Sequence, residues 1–191
     1  YNRLNQRTKV TRTDGSYWEY DYDSLGQVTS AFRKDILDTL IPGYGYGYTF
    51  DDIGNRTQTT TNGRTAYYSP DNLNQYDERA VPRFVDTLGL ANASATVSVN
   101  GNLATRLADN FYHELDLSTG GSGAQLANIN VSASLPDGGD DNAPRVAEAS
   151  KREYLPATPE IFSHDADGNL TQDGQWSYTW DANNRLIAME T

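Results

Sequence analysis

Five copies of one seven-residue phrase, all in a single register, constrain this chain more than any other feature. They are Tyr22-Asp23-Ser24-Leu25-Gly26-Gln27-Val28, Phe50-Asp51-Asp52-Ile53-Gly54-Asn55-Arg56, Pro70-Asp71-Asn72-Leu73-Asn74-Gln75-Tyr76, His164-Asp165-Ala166-Asp167-Gly168-Asn169-Leu170 and Trp180-Asp181-Ala182-Asn183-Asn184-Arg185-Leu186. A phrase repeated in register signals a repeated supersecondary unit. Asp opens each turn because its carboxylate can accept backbone N–H groups just ahead of it. Three residues later stands Gly26, Gly54, Asn74, Gly168 or Asn184. Gly and Asn best tolerate the left-handed conformation that a type I turn followed by a bulge requires there. Three residues before each Asp is an aromatic: Tyr20, Tyr48, Tyr68, Phe162 and Tyr178. Side chains alternate across a strand, so Trp18 and Trp176 share a face with Tyr20 and Tyr178. The spacing predicts a packed aromatic face.

A second turn type alternates with the first. Asp14-Gly15, Asn62-Gly63 and Asp173-Gly174 place Gly seven or eight residues before the next repeated Asp, and Asn-Gly or Asp-Gly is the strongest short hairpin signal. The pattern predicts an antiparallel meander. The repeated Asp residues lie 28, 20 and 16 apart where phrases adjoin. Extra residues in the longest interval fall around Ile36 to Gly47, where Gly43-Tyr44-Gly45-Tyr46-Gly47-Tyr48 suits a strand with bare backbone on one face. The one stretch compatible with a helical turn is Lys34 to Leu40. The chain reads as opening inside a phrase, with Asn2-Arg3-Leu4 aligned to Asn184-Arg185-Leu186 and the Asp missing upstream.

The pattern of aromatic, Asp, two residues, Gly or Asn, then a polar residue, with an aromatic three before the Asp, resembles the RHS or YD repeat of bacterial proteins. The resemblance covers residues 1–76 and 162–191. It implies a β-ribbon that spirals into a hollow shell, which in RHS proteins, teneurins and Tc toxin C components encloses a polypeptide cargo. This chain looks like a piece of such a shell. The resemblance also implies a bacterial secreted or cell-surface setting, and neighbouring repeats of a parent chain as partners. RHS proteins often carry a self-cleaving aspartyl site after the repeats, and no such motif is found here.

Composition narrows the classes further. Tyr contributes 13 aromatics against 5 Phe and 3 Trp, which suits sheets with partly wet faces. A formal charge of −11 disfavours a nucleic-acid backbone or an anionic membrane as partner. No apolar run approaches the roughly 20 residues of a membrane helix. Cys is absent, removing disulfides, thiolate nucleophiles and thiolate metal sites together. The first residue is Tyr1 and the single Met is Met189, so the natural N-terminus and any signal peptide are expected outside this stretch.

Between Asp77 and Ile161 the phrase disappears. Thr96 to Thr105 reads as strand, Asn100-Gly101 turn, strand; Phe111 to Leu117, Leu126 to Leu135 and Arg145 to Leu155 are further strands. Residues 120–123 and 136–144 are loops by their Gly, Pro, Ser and Asp content. The expected fold is therefore all-β: a YD-repeat antiparallel ribbon over 1–76, an inserted β-sandwich-like domain over 77–161, and the ribbon continued over 162–191.

Candidate sites are few. Asp23, Gly26, Asp51, Gly54, Asp71, Asn74, Asp165, Gly168, Asp181 and Asn184 are structural turn residues. Asp165 to Asn169 superficially resembles a calcium loop, but an EF-hand needs Gly sixth and Glu twelfth; here Gly is fourth and the twelfth residue is Trp176. Asp137, Asp140 and Asp141 form a better oxygen-rich cluster for calcium, though a solvated acidic loop is the favoured reading and no metal site is expected. No other cofactor is expected. Of the two imidazoles, His164 takes the slot of Tyr22 and Trp180, while Phe111-Tyr112-His113 alternates on a strand that could contact a ligand. No Gly-x-Ser-x-Gly phrase occurs, and the repeated carboxylates sit on separate turns rather than across a cleft. The expected role is non-enzymatic and structural, a shell segment that encloses or presents a polypeptide cargo. Two alternatives stand beside it. One is an extracellular binding module whose insert recognises a glycan or cell-surface protein through Phe111, Tyr112 or Tyr154. The other is self-association through open sheet edges into a fibre.

Overall fold

In the computed structural model of the chain, which describes residues 1–136, 139 and 143–191, every copy of the phrase closes as a five-residue turn. At Asp23 the Oδ1 atom accepts the N–H groups of Leu25 and Gln27, both at 2.9 Å. The Asp23 N–H donates to the Gln27 carbonyl at 3.0 Å, and Gly26 N–H donates back to the Asp23 carbonyl at 3.2 Å. Asp51, Asp71, Asp165 and Asp181 cap in the same way. The fourth residue is left-handed in each, with φ of 88° at Gly26, 97° at Gly54, 63° at Asn74, 86° at Gly168 and 58° at Asn184. A register shift in the flanking ladder beside each turn marks the bulge.

Two further turns of this design correct the sequence reading. The stretch Lys34 to Leu40 is not helical: Asp35 Oδ1 accepts the N–H groups of Leu37 and Thr39, and Asp38 takes the left-handed position at φ 67°. Asp is among the few non-Gly residues that tolerate that region. At the start of the chain no Asp is missing. Asn2 is itself the capping residue, its Oδ1 accepting the N–H groups of Leu4 and Gln6, with Asn5 left-handed at φ 61°. An amide oxygen does the work of a carboxylate, which displaces the phrase from the alignment with Asn184.

The turns join a meander. β1 (Lys9–Thr11), β2 (Tyr17–Tyr22), β3 (Val28–Lys34), β4 (Leu40–Phe50), β5 (Arg56–Thr61), β6 (Arg64–Pro70) and β7 (Tyr76–Arg79) pair antiparallel in chain order. The chain then forms the insert with β8 (Phe84–Leu90), β9 (Thr96–Val99), β10 (Asn102–Leu103), β11 (Thr105–Leu107), β12 (Asn110–Asp116), β13 (Gln125–Leu135) and β14 (Arg145–Leu155). It returns as β15 (Glu160–Ile161), which pairs β7 with Glu160 opposite Arg79. β16 (Ser163–His164), β17 (Leu170–Gln172), β18 (Ser177–Trp180) and β19 (Leu186–Glu190) complete the meander. Phe162 N–H donates to the Asp77 carbonyl at 2.9 Å, so one strand course runs from β15 into β16. The insert replaces a hairpin turn.

The insert is two antiparallel sheets, β10-β9-β13-β14 and β11-β12-β8. Val85 from one and Val99 and Ile129 from the other meet in a buried cluster with Val81 and Leu155. Val99 and Ile129 are fully buried; burial of this kind contributes roughly 1.5–3 kcal/mol per aliphatic side chain. Helix is confined, among the described residues, to one 3₁₀ turn at Ser118–Gly120.

Both faces of the ribbon follow from the alternation. On one, the Trp18 ring lies 6.3 Å from Tyr20, 5.9 Å from Tyr44 and 5.9 Å from Tyr46, with the Arg33 guanidinium 4.9 Å over Tyr44. On the other, the bare backbone at Gly43 and Gly45 receives aromatic rings: a Cβ at Gly45 would stand 3.3 Å from Phe32 and one at Gly43 2.7 Å from Tyr112. Gly54→Val, which puts a β-branched residue at φ 97° and within 2.9 Å of the Gln27 amide, is expected to cost about 2 kcal/mol. Asp137→Ala should leave the thermal midpoint near wild type. Equal midpoints for the two would contradict the turn assignment.

Candidate functional site

The repeated turns are themselves assembled into a site-like row. In all but the last of the row, the residue after the left-handed position carries an amide that reaches the next turn along the edge. A Cβ on Gly26 would meet Gln6 Nε2 at 3.2 Å, on Gly54 would meet Gln27 Nε2 at 2.9 Å, and on Gly168 would meet Gln75 Nε2 at 2.9 Å. Asn55 Nδ2 donates to Asn74 Oδ1 at 3.0 Å, and Asn169 Nδ2 to Asn184 Oδ1 at 2.9 Å. Six turns therefore stack in one row, from Asn2 to Asp181. The step from Gln75 to Gly168 crosses the whole insert.

The row presents carboxylates with few counter-charges, and its chemistry is capping. The Asn169 amide and backbone N–H groups hold Asp165 below the ordinary carboxylate range, and the Arg185 side chain does the same for Asp181. A depressed folded value means stability present above the unfolded value of about 3.9 and lost as pH falls through the lower folded one. Asp165→Asn keeps the cap, as Asn2 shows, while removing the titration. Its thermal midpoint should fall less steeply than that of wild type below about pH 4. An unchanged acid slope would show that this cap does not titrate with folding.

Of the predicted ligand contacts, Phe111 and Tyr112 are engaged within the fold. Phe111 is buried, and its ring lies against Gly89, where a Cβ would come within 2.7 Å. Tyr112 lies on Gly43 and donates to Asp86 Oδ1 at 2.8 Å; burial and that hydrogen bond push its phenol well up. His113 stands opposite Thr87, on the face shared by Phe111 and Leu115. Tyr154 donates to the Gly174 carbonyl at 2.5 Å. The expectation of an exposed aromatic at Phe111 is corrected, since its ring packs inside the insert; Tyr112 and Tyr154 are half-buried and bonded, Tyr154 to the ribbon carbonyl of Gly174.

Docking of the insert on the ribbon is extensive. Asn62 Nδ2 donates to Asp86 Oδ2 at 2.5 Å. Arg64 makes a bidentate pair with Glu114 at 3.0 and 2.6 Å and lies 3.7 Å over the Phe84 ring. Beside it, within the ribbon, Arg79 of β7 pairs with the buried Glu160 of β15. Within the insert, Arg83 donates to the carbonyls of Pro156 and Gly123. A cavity of about 260 Å³ remains at this junction, lined by Thr59, Arg64, Tyr68, Arg79 and Phe84 among others. Its two guanidinium groups already have carboxylate partners, so it offers an incoming anion no free cation.

Asp137, Asp140 and Asp141 lie outside the described residues. Among the described residues no three His, Asp or Glu side chains converge as a metal site. No helix is long and apolar enough to cross a membrane. No protein-family model matches the chain, and a search of curated proteins finds no match either.

Proposed function

We propose that the chain is a non-enzymatic structural segment, part of an RHS/YD-repeat wall that encloses or presents a polypeptide cargo in a secreted or cell-surface bacterial protein. The observation that supports this most directly is the unbroken row of six stacked turns, continuous across an insertion of about 80 residues. A recognition domain on a flexible stalk needs no such continuity. A wall does, because a gap would open a sheet edge to water and to other chains. Neighbouring repeats would extend β1 and β19 by the same pairing.

The insert then acts as a buttress on the wall rather than as a separate reader of glycans or cell-surface proteins, since Tyr112 and Tyr154 contact the ribbon and Phe111 packs inside the insert. Limited proteolysis of the full chain followed by mass spectrometry tests this. Resistance around residues 79–83 and 156–160 is expected, because Val81 N–H donates to Thr158 Oγ1 and Arg83 ties both segments. Rapid cutting at both junctions, with insert and ribbon each surviving, would instead identify an autonomous recognition module.

A further inference from the structure

β14 is an eleven-residue strand at the open edge of its sheet, and Arg145 to Arg152 are exposed throughout. A long unpaired edge is a template for another strand, and proteins usually block it with charges. Here the charges are distributed so that they do not block every pairing. We propose that the outer edge of β14 is a homodimer interface, in which two copies pair antiparallel about a two-fold axis through Ser150.

Charge narrows the register to two centres: Ala149, which opposes Arg145 to Glu153, and Ser150, which is favoured because Glu153 is already paired with Lys151 at 3.0 Å. Opposed residues in an antiparallel pair share a face, so a symmetric pairing must centre on one residue. Centring on Glu148, Lys151 or Arg152 opposes identical charges. Centring on Ser150 opposes Glu148 to Arg152 twice and Val146 to Tyr154 twice, on the outer face. No like charges meet in that arrangement. The strand also carries three cations and two anions within a chain of net charge −11, so this edge does not share the chain's net negative charge.

The packing points the same way. Beneath β14 an apolar trough of about 480 Å³ opens between the two sheets, lined by Gly89, Phe111, Val131, Ala133, Ala147 and Ala149. It is flanked by β8, whose outer edge is also unpaired, with Leu90 largely exposed. A two-fold axis normal to the sheet keeps both β8 strands on one side, so the two troughs open onto one another. The four-stranded sheets then become one of eight.

Sedimentation velocity of the full chain across a dilution series reads the dimer. Glu148→Arg is expected to weaken it roughly tenfold or more, because both symmetric pairs turn repulsive. The double variant E148R/R152E should restore it. Both side chains are exposed and neither enters an ion pair among the described residues, so unchanged circular dichroism is expected as a control. Ser150→Cys, in a chain without cysteine, should form an intermolecular disulfide on oxidation. A monomer at every concentration, with no crosslink through Ser150→Cys, overturns the proposal. So does a dimer indifferent to both charge variants, which would place association at the ribbon edges instead.

Discussion

Gly43→Val is expected to destabilise the chain by about 4 kcal/mol, combining backbone strain with overpacking. Gly43 has φ 88°, a region that β-branched residues rarely enter. Its missing Cβ is also where the Tyr112 ring rests, 2.7 Å away at the nearest atom. Tyr112 cannot easily give way, since its hydroxyl is held by Asp86, which in turn accepts from Asn62. The variant should therefore loosen the insert from the ribbon as well as lower stability. Proteolysis at residues 79–83 measures the first effect, and urea unfolding the second. In a Tyr112→Ala background, Gly43→Ala should cost less than in wild type, because only the backbone strain remains. A Gly43→Val protein within about 0.5 kcal/mol of wild type would refute this account of the docking.

Glu160→Ala should cost about 3 kcal/mol. The Glu160 side chain is 5% exposed and pairs with Arg79, itself 34% exposed. Removing the carboxylate leaves a guanidinium half-buried without its charge partner, at the strand pair where the chain re-enters the ribbon. The cost stays below that of a fully buried pair because water reaches Arg79 from one side. Glu160→Gln, which retains an acceptor, should lose less. A double-mutant cycle with Arg79→Leu separates the pair from the packing; zero coupling would mean that Glu160 matters only as volume.

The turns were legible in the sequence because they close on themselves. Asp23, Asp51, Asp71, Asp165 and Asp181 each bond within four residues, so residue type and spacing carry the whole signal. The misses at Asn2 and Asp35 come from the same chemistry in other residues. Asn can cap as Asp does, and Asp38 can stand where Gly stands elsewhere. The bare face at Gly43 to Gly47 was likewise legible, though not which rings would cover it. The Asp173-Gly174 signal marked a hairpin correctly. Yet Gly174 does not take a left-handed φ; its small size matters because a Cβ would stand 2.8 Å from the Glu160 side chain.

What lay beyond the sequence was every contact made at long range. Arg79 and Glu160 are 81 residues apart, Arg64 and Glu114 are 50 apart, and Gln75 meets Gly168 across the whole insert. No local periodicity encodes such pairs, because each depends on where a loop of that length returns. Its closure entropy must be offset by packing that exists only once both ends are in place. Sequence thus determined the strand pattern, the five Asp-led capped turns of the repeated phrase and the all-β class, all set by hydrogen bonds and alternation over a few residues. Tertiary structure alone decided which side chains join the ribbon across the insert, that Tyr112 packs on Gly43 of the ribbon, and that β14 is left with an open edge.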